Sequence, residues 1–130
     1  MPQTLQQMID AANAVIPKID RAQAEQLMAD GALVVDVRDA PEVVHDGKVA
    51  GARHVSRGML EFRADPASPL HEAAFDPERP VVVYCAAGGR AALAGKTLHD
   101  LGYTHVFNLG AFKDWVAAGG AVESPMERGM

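Results

Sequence analysis

The stretch from Val81 to Gly95, V-V-V-Y-C-A-A-G-G-R-A-A-L-A-G, constrains this chain more than any other. Val81 to Tyr84 are four strand formers in a row, a short apolar run suited to a buried strand. Cys85, the only cysteine in the sequence, follows at once. Ala86, Ala87, Gly88 and Gly89 carry almost no side chain, so nothing blocks their backbone N–H groups from turning toward one point. From Arg90 the period changes: Leu93, Ala94, Thr97, Leu98 and Leu101 share one helical face, and Gly102 supplies a stop. The stretch reads as strand, tight loop, helix, with a thiol at the tip of the strand.

That order of elements has chemical content. Unpaired N–H groups at a helix start, beside loop N–H groups curled toward them, form a concavity that binds anions. A cysteine placed there is biased toward thiolate, the form that attacks electrophiles. The helix terminus alone contributes about 0.3–1 kcal/mol, up to ~2 when partly buried, so loop hydrogen bonds and Arg90 must supply the rest. The competing reading makes Cys85 a small buried hydrophobe in an ordinary strand-to-helix turn. The site reading is favoured because open parallel sheets bind ligands outside the carboxyl ends of their strands.

With 130 residues, 48% of them apolar, the chain can bury one core and is expected to be a single domain. No apolar run approaches the roughly 20 residues of a membrane span. The Met1-Pro2-Gln3-Thr4 start lacks the basic and hydrophobic blocks of a secretory signal. One cysteine cannot form an internal disulfide, which suits a reducing compartment and predicts a cytoplasmic protein. The net charge of −5 argues against nucleic acid or an anionic membrane as partner. His45, His54, His71, His99 and His105 are scattered without metal-ligand spacing, so no metal site is expected.

Taken in order, Thr4 to Val15 predicts an amphipathic helix ended by Pro17, with Leu5, Met8, Ile9, Ala12 and Ile16 on its apolar face. Pro17-Lys18-Ile19 reads as an edge strand, and Asp20 with Gln23 as a capping box opening a helix to Ala29. Leu33 to Arg38 is a second strong strand, followed by a helix from Ala40 with Pro41 in its first turn. Strands alternating with helices predict a parallel sheet, which would put Arg38 and Cys85 on one edge. Asp36 and Arg38 read first as a structural ion pair or a partner for Glu42, and at most as support behind the reacting atoms. Gly47 to Val55 is a glycine-punctuated turn into a short strand. Ser56 to Ala64, carrying Arg57 and Arg63, is locally basic: the rim of an anionic substrate's entrance, or more commonly a solvated face. Asp65 to Pro80 is a proline-rich crossover with a helical turn expected around Leu70 to Ala74. His105 to Leu109 reads as a strand, and Phe112, Trp115 and Val116 as the core face of a last helix. The final ten residues read as a polar, mobile tail.

Four motifs, in this order, resemble the single-domain rhodaneses: D-V-R-D-A-P-E from Asp36, G-K-V-A-G-A from Gly47, C-A-A-G-G-R-A from Cys85, and N-L-G-A-F-K-D-W from Asn108. The likeness runs from Ile19 to Gly120. It departs from the family at Lys48 and Ala50, where histidine and proline are usual, and at Ala111, where glycine is common. The resemblance implies an α/β fold: a single rhodanese-like domain over residues 17–120, with a five-stranded parallel sheet flanked by helices on both faces. Residues 1–16 would be a helical extension and 121–130 a tail. It also implies a sulfurtransferase in which Cys85 carries sulfur as a persulfide.

The residues themselves are compatible with that chemistry. Thiolate Cys85 would attack the outer sulfur of thiosulfate or a similar small anionic donor, and the N–H groups of Ala86, Ala87, Gly88, Gly89 and Arg90 would stabilise the persulfide without metal or organic cofactor. Cyanide, a small thiol or a protein thiol would then take the sulfur in a double displacement. Arg90 is expected to orient the loop or attract the donor, and Arg57 to meet the donor's sulfonate. Three rivals stand. A phosphatase or arsenate reductase would need five residues between cysteine and arginine, where this chain has four. A non-catalytic interaction module of this fold often lacks the cysteine. A thiol redox sensor lacks its resolving partner here.

Overall fold

The computed structural model describes residues 2–124. Six helices are α1 (Leu5–Val15), α2 (Arg21–Ala29), α3 (Ala40–Asp46), α4 (Leu60–Ala64), α5 (Gly89–Asp100) and α6 (Phe112–Ala117), with a 3₁₀ turn at Arg57–Met59. The strands are β1 (Leu33–Asp36), β2 (Lys48–Val49), β3 (Arg53–His54), β4 (Val81–Cys85), β5 (Val106–Ala111) and β6 (Val122–Glu123). A parallel sheet runs in the order β3-β1-β4-β5, while β2 and β6 pair antiparallel beside it. The nucleophile candidate therefore stands at the end of a central strand.

The side chains of β1 and β4 alternate between two cores. Leu33, Val35, Val81, Val83 and Cys85 pack with Leu60, Ala91, Ala94 and Leu98 under α4 and α5. Val34, Val82 and Tyr84 pack with Ala24, Phe112 and Trp115 under α2 and α6. Helices thus cover both faces, and the fully buried strands read as unbroken apolar runs for that reason.

Four expectations need correction. Among the described residues the parallel sheet has four strands, not five. Where the edge strand was expected, Lys18 makes one isolated parallel bridge to Asn108. Asn108 N–H donates to the Pro17 carbonyl (2.8 Å), and Ile19 N–H to the Asn108 carbonyl (3.0 Å). Pro17 has no N–H to return, so the ladder stops there. The segment Leu70 to Ala74 makes turns, not a helical turn. Val116 is exposed, so α6 presents only Phe112 and Trp115 to the core. The tail expected from residue 121 is drawn in at its start, where Val122 and Glu123 form β6, and Lys48 Nζ meets the Glu123 carboxylate at 2.8 Å. Its remainder, 125–130, lies outside the described residues.

Helix α1 is capped as a box: Thr4 Oγ1 accepts from Gln7 N–H (3.1 Å) and Gln7 Oε1 from Thr4 N–H (2.8 Å). It packs along α5 with Ala12 and Ile16 buried, while Leu5 and Met8 of the expected apolar face stay exposed. Close approach is possible because α5 carries Gly95 opposite Ile16, where a Cβ would lie 3.1 Å from Ile16 Cγ2.

Candidate active site

β4 ends on Cys85, and the chain then turns through Gly88 at φ 107°, a left-handed conformation that favours glycine. The turn points the start of α5 back over the strand end. Gly88 N–H donates to Cys85 Sγ at 3.0 Å and Ala91 N–H donates to it at 3.3 Å. No acceptor among the described residues meets the N–H groups of Ala87, Gly89 or Arg90. Sγ therefore sits beneath a loop with donors already aimed at it and others still free. Cys85 is only 1% exposed. Ala86, Gly88, Gly89 and Arg90 are half-buried, and Ala87 is exposed at the mouth. Such a site admits a slim group and stabilises negative charge on sulfur.

Arg90 does not point at the thiol. Its Nη1 and Nη2 donate to the two oxygens of Glu42 at 2.8 and 2.9 Å, a bidentate pair joining the loop to α3. The hydrogen bonds from Arg90 hold the Glu42 carboxyl at about 2, well below its ordinary 4.5, and the pair raises Arg90 in turn. Glu42 is placed by its helix, since its Oε2 also accepts Asp39 N–H at 2.9 Å. The sequence offered Glu42 only as a partner for the Asp36 and Arg38 pair, and the structure gives it to Arg90 instead. The available signal was an acidic residue in the first turn of a helix that starts at the same sheet edge.

Asp36 and Arg38 reach the same edge as Cys85 but the opposite face. Both are buried, with Arg38 1% exposed. Arg38 Nη2 donates to Asp36 Oδ2 at 2.7 Å and to the Gly47 carbonyl at 2.6 Å, and Nε donates to Asp36 Oδ1 at 3.0 Å. Its guanidinium lies 4.4 Å from the Phe112 ring centroid. Burial works against the charge, yet the Asp36 hydrogen bond and charge outweigh it and raise Arg38. Tyr84 closes the network: its hydroxyl donates to Asp36 Oδ2 (2.7 Å) and accepts Val49 N–H (3.0 Å). Burial and the neighbouring Asp36 push the Tyr84 phenol up. This is the structural ion pair of the sequence reading, with Tyr84, counted there only as a strand former, as its third member.

The backbone of Arg57 also lies at this sheet edge, donating to the Val37 carbonyl at 3.2 Å. Its side chain turns elsewhere, with Nη1 on Glu61 (3.0 Å) and Nη2 on Thr97 (2.9 Å). Thr97 lies about 12 Å along α5 from Gly89 at 1.5 Å per residue. The structure thus gathers Cys85 and the loop from Ala86 to Arg90, and leaves the Arg57 guanidinium apart from them. No cluster of metal-ligating side chains occurs among the described residues. No described helix is long and apolar enough to cross a membrane.

Comparison with known proteins agrees with this geometry. The thiosulfate sulfurtransferase GlpE of Ectopseudomonas mendocina is 32% identical over 101 residues, covering 77% of this chain and 84% of its own. The solved polysulfide-sulfur transferase homodimer of Wolinella succinogenes is 34% identical, with a TM-score of 0.72 over 92% of this chain and 86% of that one. A protein of unknown function from Rhodopseudomonas palustris, described as a possible tyrosine phosphatase, is 40% identical with a TM-score of 0.83, covering 95% of this chain and 99% of that one. The model of the family described as the rhodanese-like domain matches residues 20–118. By its motifs, its cysteine loop and that match, the chain belongs to the rhodanese-like domain family.

Proposed function

We propose that this chain is a sulfurtransferase that moves sulfane sulfur through a persulfide on Cys85. The observation that carries the reading is the seat of Sγ, held by Gly88 and Ala91 N–H at a strand end beneath a loop with unused donors. The Cys85 thiolate attacks the outer sulfur of thiosulfate or a similar small anion. The S–S bond of the donor breaks, sulfite departs with the electron pair, and Cys85 holds a terminal S⁻. Loop N–H groups stabilise that charge without reorganising. Cyanide or a thiolate then attacks the terminal sulfur, and Cys85 leaves as thiolate. With no second cysteine in the chain, the acceptor comes from outside, as a small molecule or a protein thiol. Arg90 holds the loop to α3 through Glu42, which fits an orienting role better than direct contact with the donor.

The description of the Rhodopseudomonas palustris relative raises phosphoryl transfer as a second reading. Three features favour sulfur instead. Four residues separate Cys85 from Arg90, a short ring for a tetrahedral oxyanion. Both terminal nitrogens of Arg90 are spent on Glu42. Sγ is too deeply set for a broad electrophile.

Intact mass spectrometry decides between the readings. Incubation with thiosulfate is expected to add one sulfur atom to the protein, cyanide to remove it, and Cys85→Ser to abolish both. Thiocyanate formation that survives Cys85→Ser overturns the mechanism. Aryl phosphate hydrolysis faster than sulfur transfer installs the phosphatase reading instead.

A further inference from the structure

We propose that Ile9 of α1 is a positioning residue for the Cys85 loop, pressing on Gly89 so that the N–H groups on either side of it stay aimed at Sγ. What those N–H groups do in the reaction rests on the persulfide reading; where they are held does not. α1 precedes residues 20–118, which match the family, so the contact comes from outside the common domain. A Cβ built on Gly89 would meet Ile9 Cδ1 at 3.6 Å, an ordinary van der Waals distance. Beyond the chain neighbours and own helix of Gly89, no other atom among the described residues comes within 4 Å of that point. Ile9 is half-buried there, three residues before the fully buried Ala12. As a β-branched residue in a helix it has one strongly preferred χ1 rotamer, which makes it a stiff prop. Gly88, just before Gly89, sends its N–H to Sγ at 3.0 Å, and Ala91, two residues after, does so at 3.3 Å. A contact at Gly89 therefore bears on both.

The loop needs a prop because it can supply none itself. Ala86, Ala87, Gly88 and Gly89 carry at most a methyl group. On the α3 side the loop is tied through Arg90 to Glu42, and on the α1 side Ile9 meets it. α1 is firmly placed at its other end. Ile16 is 2% exposed against Gly95, and the next residue, Pro17, accepts the Asn108 N–H at 2.8 Å. Ile9 faces Gly89 and Ile16 faces Gly95, so the two helices run side by side in the same direction. The seam between those contacts is about 10 Å long at 1.5 Å per residue. Its anchored end is at Ile16 and its working end is at the start of α5, where the loop begins. With Ile9 cut back, the turn from Gly88 to Ala91 loses its support on that side, and its N–H groups drift from Sγ.

The test follows persulfide formation from thiosulfate by intact mass in a single turnover. Ile9→Ala is expected to lower the limiting rate about tenfold and to leave the half-saturating thiosulfate concentration within about twofold, because the N–H groups act on charge that develops as the sulfur transfers. Ile9→Val removes Cδ1 alone, the atom that meets Gly89, and should already slow the step about threefold. Ile9→Leu reaches as far as isoleucine and should restore the native rate. Ala24→Gly weakens α2 on the opposite face of the sheet, so it should lower the urea midpoint and keep native kinetics. Independently of turnover, amide hydrogen exchange at Gly88 and Ala91 should quicken about tenfold in Ile9→Ala and stay native in Ala24→Gly. A native limiting rate in Ile9→Ala, native exchange at both amides, or a loss that Ala24→Gly or Ile9→Leu reproduces overturns the proposal. If the native protein takes no sulfur from thiosulfate, the persulfide reading falls instead, and the exchange measurement still decides what holds the loop.

Discussion

Tyr84 and Cys85 are consecutive residues that face opposite sides of the sheet, so one anchors the fold while the other is free to react. Asp36 sits under the first of them, buried and shared between Arg38 and the Tyr84 hydroxyl. Asp36→Asn leaves the buried Arg38 charge only the longer contact to the Asp46 carboxylate, at 3.8 Å, and is expected to cost about 3 kcal/mol. Urea denaturation of the two proteins measures it. Glu42 makes a smaller, pH-coded contribution. Its folded pKa of about 2 is depressed from 4.5, so its stabilisation is fully present above 4.5 and is lost as pH falls through 2. The stability difference between the native protein and Glu42→Gln should therefore be constant near neutrality and shrink between those values. A difference that grows on acidification would show that the Arg90 pair is not its source.

The unit formed by β4, its loop and α5 was legible because each part states its own geometry: four strand formers, small residues, then a change of period. The loop's size is the property that matters at this scale. Inserting one glycine between Gly88 and Gly89 spreads the donors that now converge on Sγ, and should slow sulfur transfer roughly 10–100-fold. Sulfur transfer and aryl phosphate hydrolysis, assayed on both folded proteins, test whether the ring is tuned to a single atom. Unchanged sulfur transfer in the longer loop would refute that. Other elements were harder to read. Helix α4 was hidden because Arg57 and Arg63 made its stretch look like a charged surface, although Leu60 and Ala64 are buried one turn apart. The edge strand failed because a single bridge looks the same as a strand in sequence until Pro17 is asked for a hydrogen bond. The Arg38 network was illegible for a different reason. Its members come from β1, β4 and the carbonyl of Gly47, and only the assembled sheet brings them together.

At the scale of the molecule, the site depends on pairings between distant parts of the chain. Leu33 registers with Val81 and Asp36 with Tyr84, so the two central strands meet only across a loop of some four dozen residues. Non-local parallel pairing of this kind is slow, because chain entropy is lost before contacts are gained. Until β1 and β4 have docked, Cys85 is an ordinary open thiol; once they have, it is 1% exposed and open only to slim reagents. The lone cysteine thereby becomes a clock for folding. Pulsed alkylation with a bulky maleimide during refolding from urea should modify Cys85 early and cease to do so with the same time constant as the gain of native circular dichroism. Protection that arrives well ahead of that signal would mean the loop closes on β4 by itself, before the sheet exists.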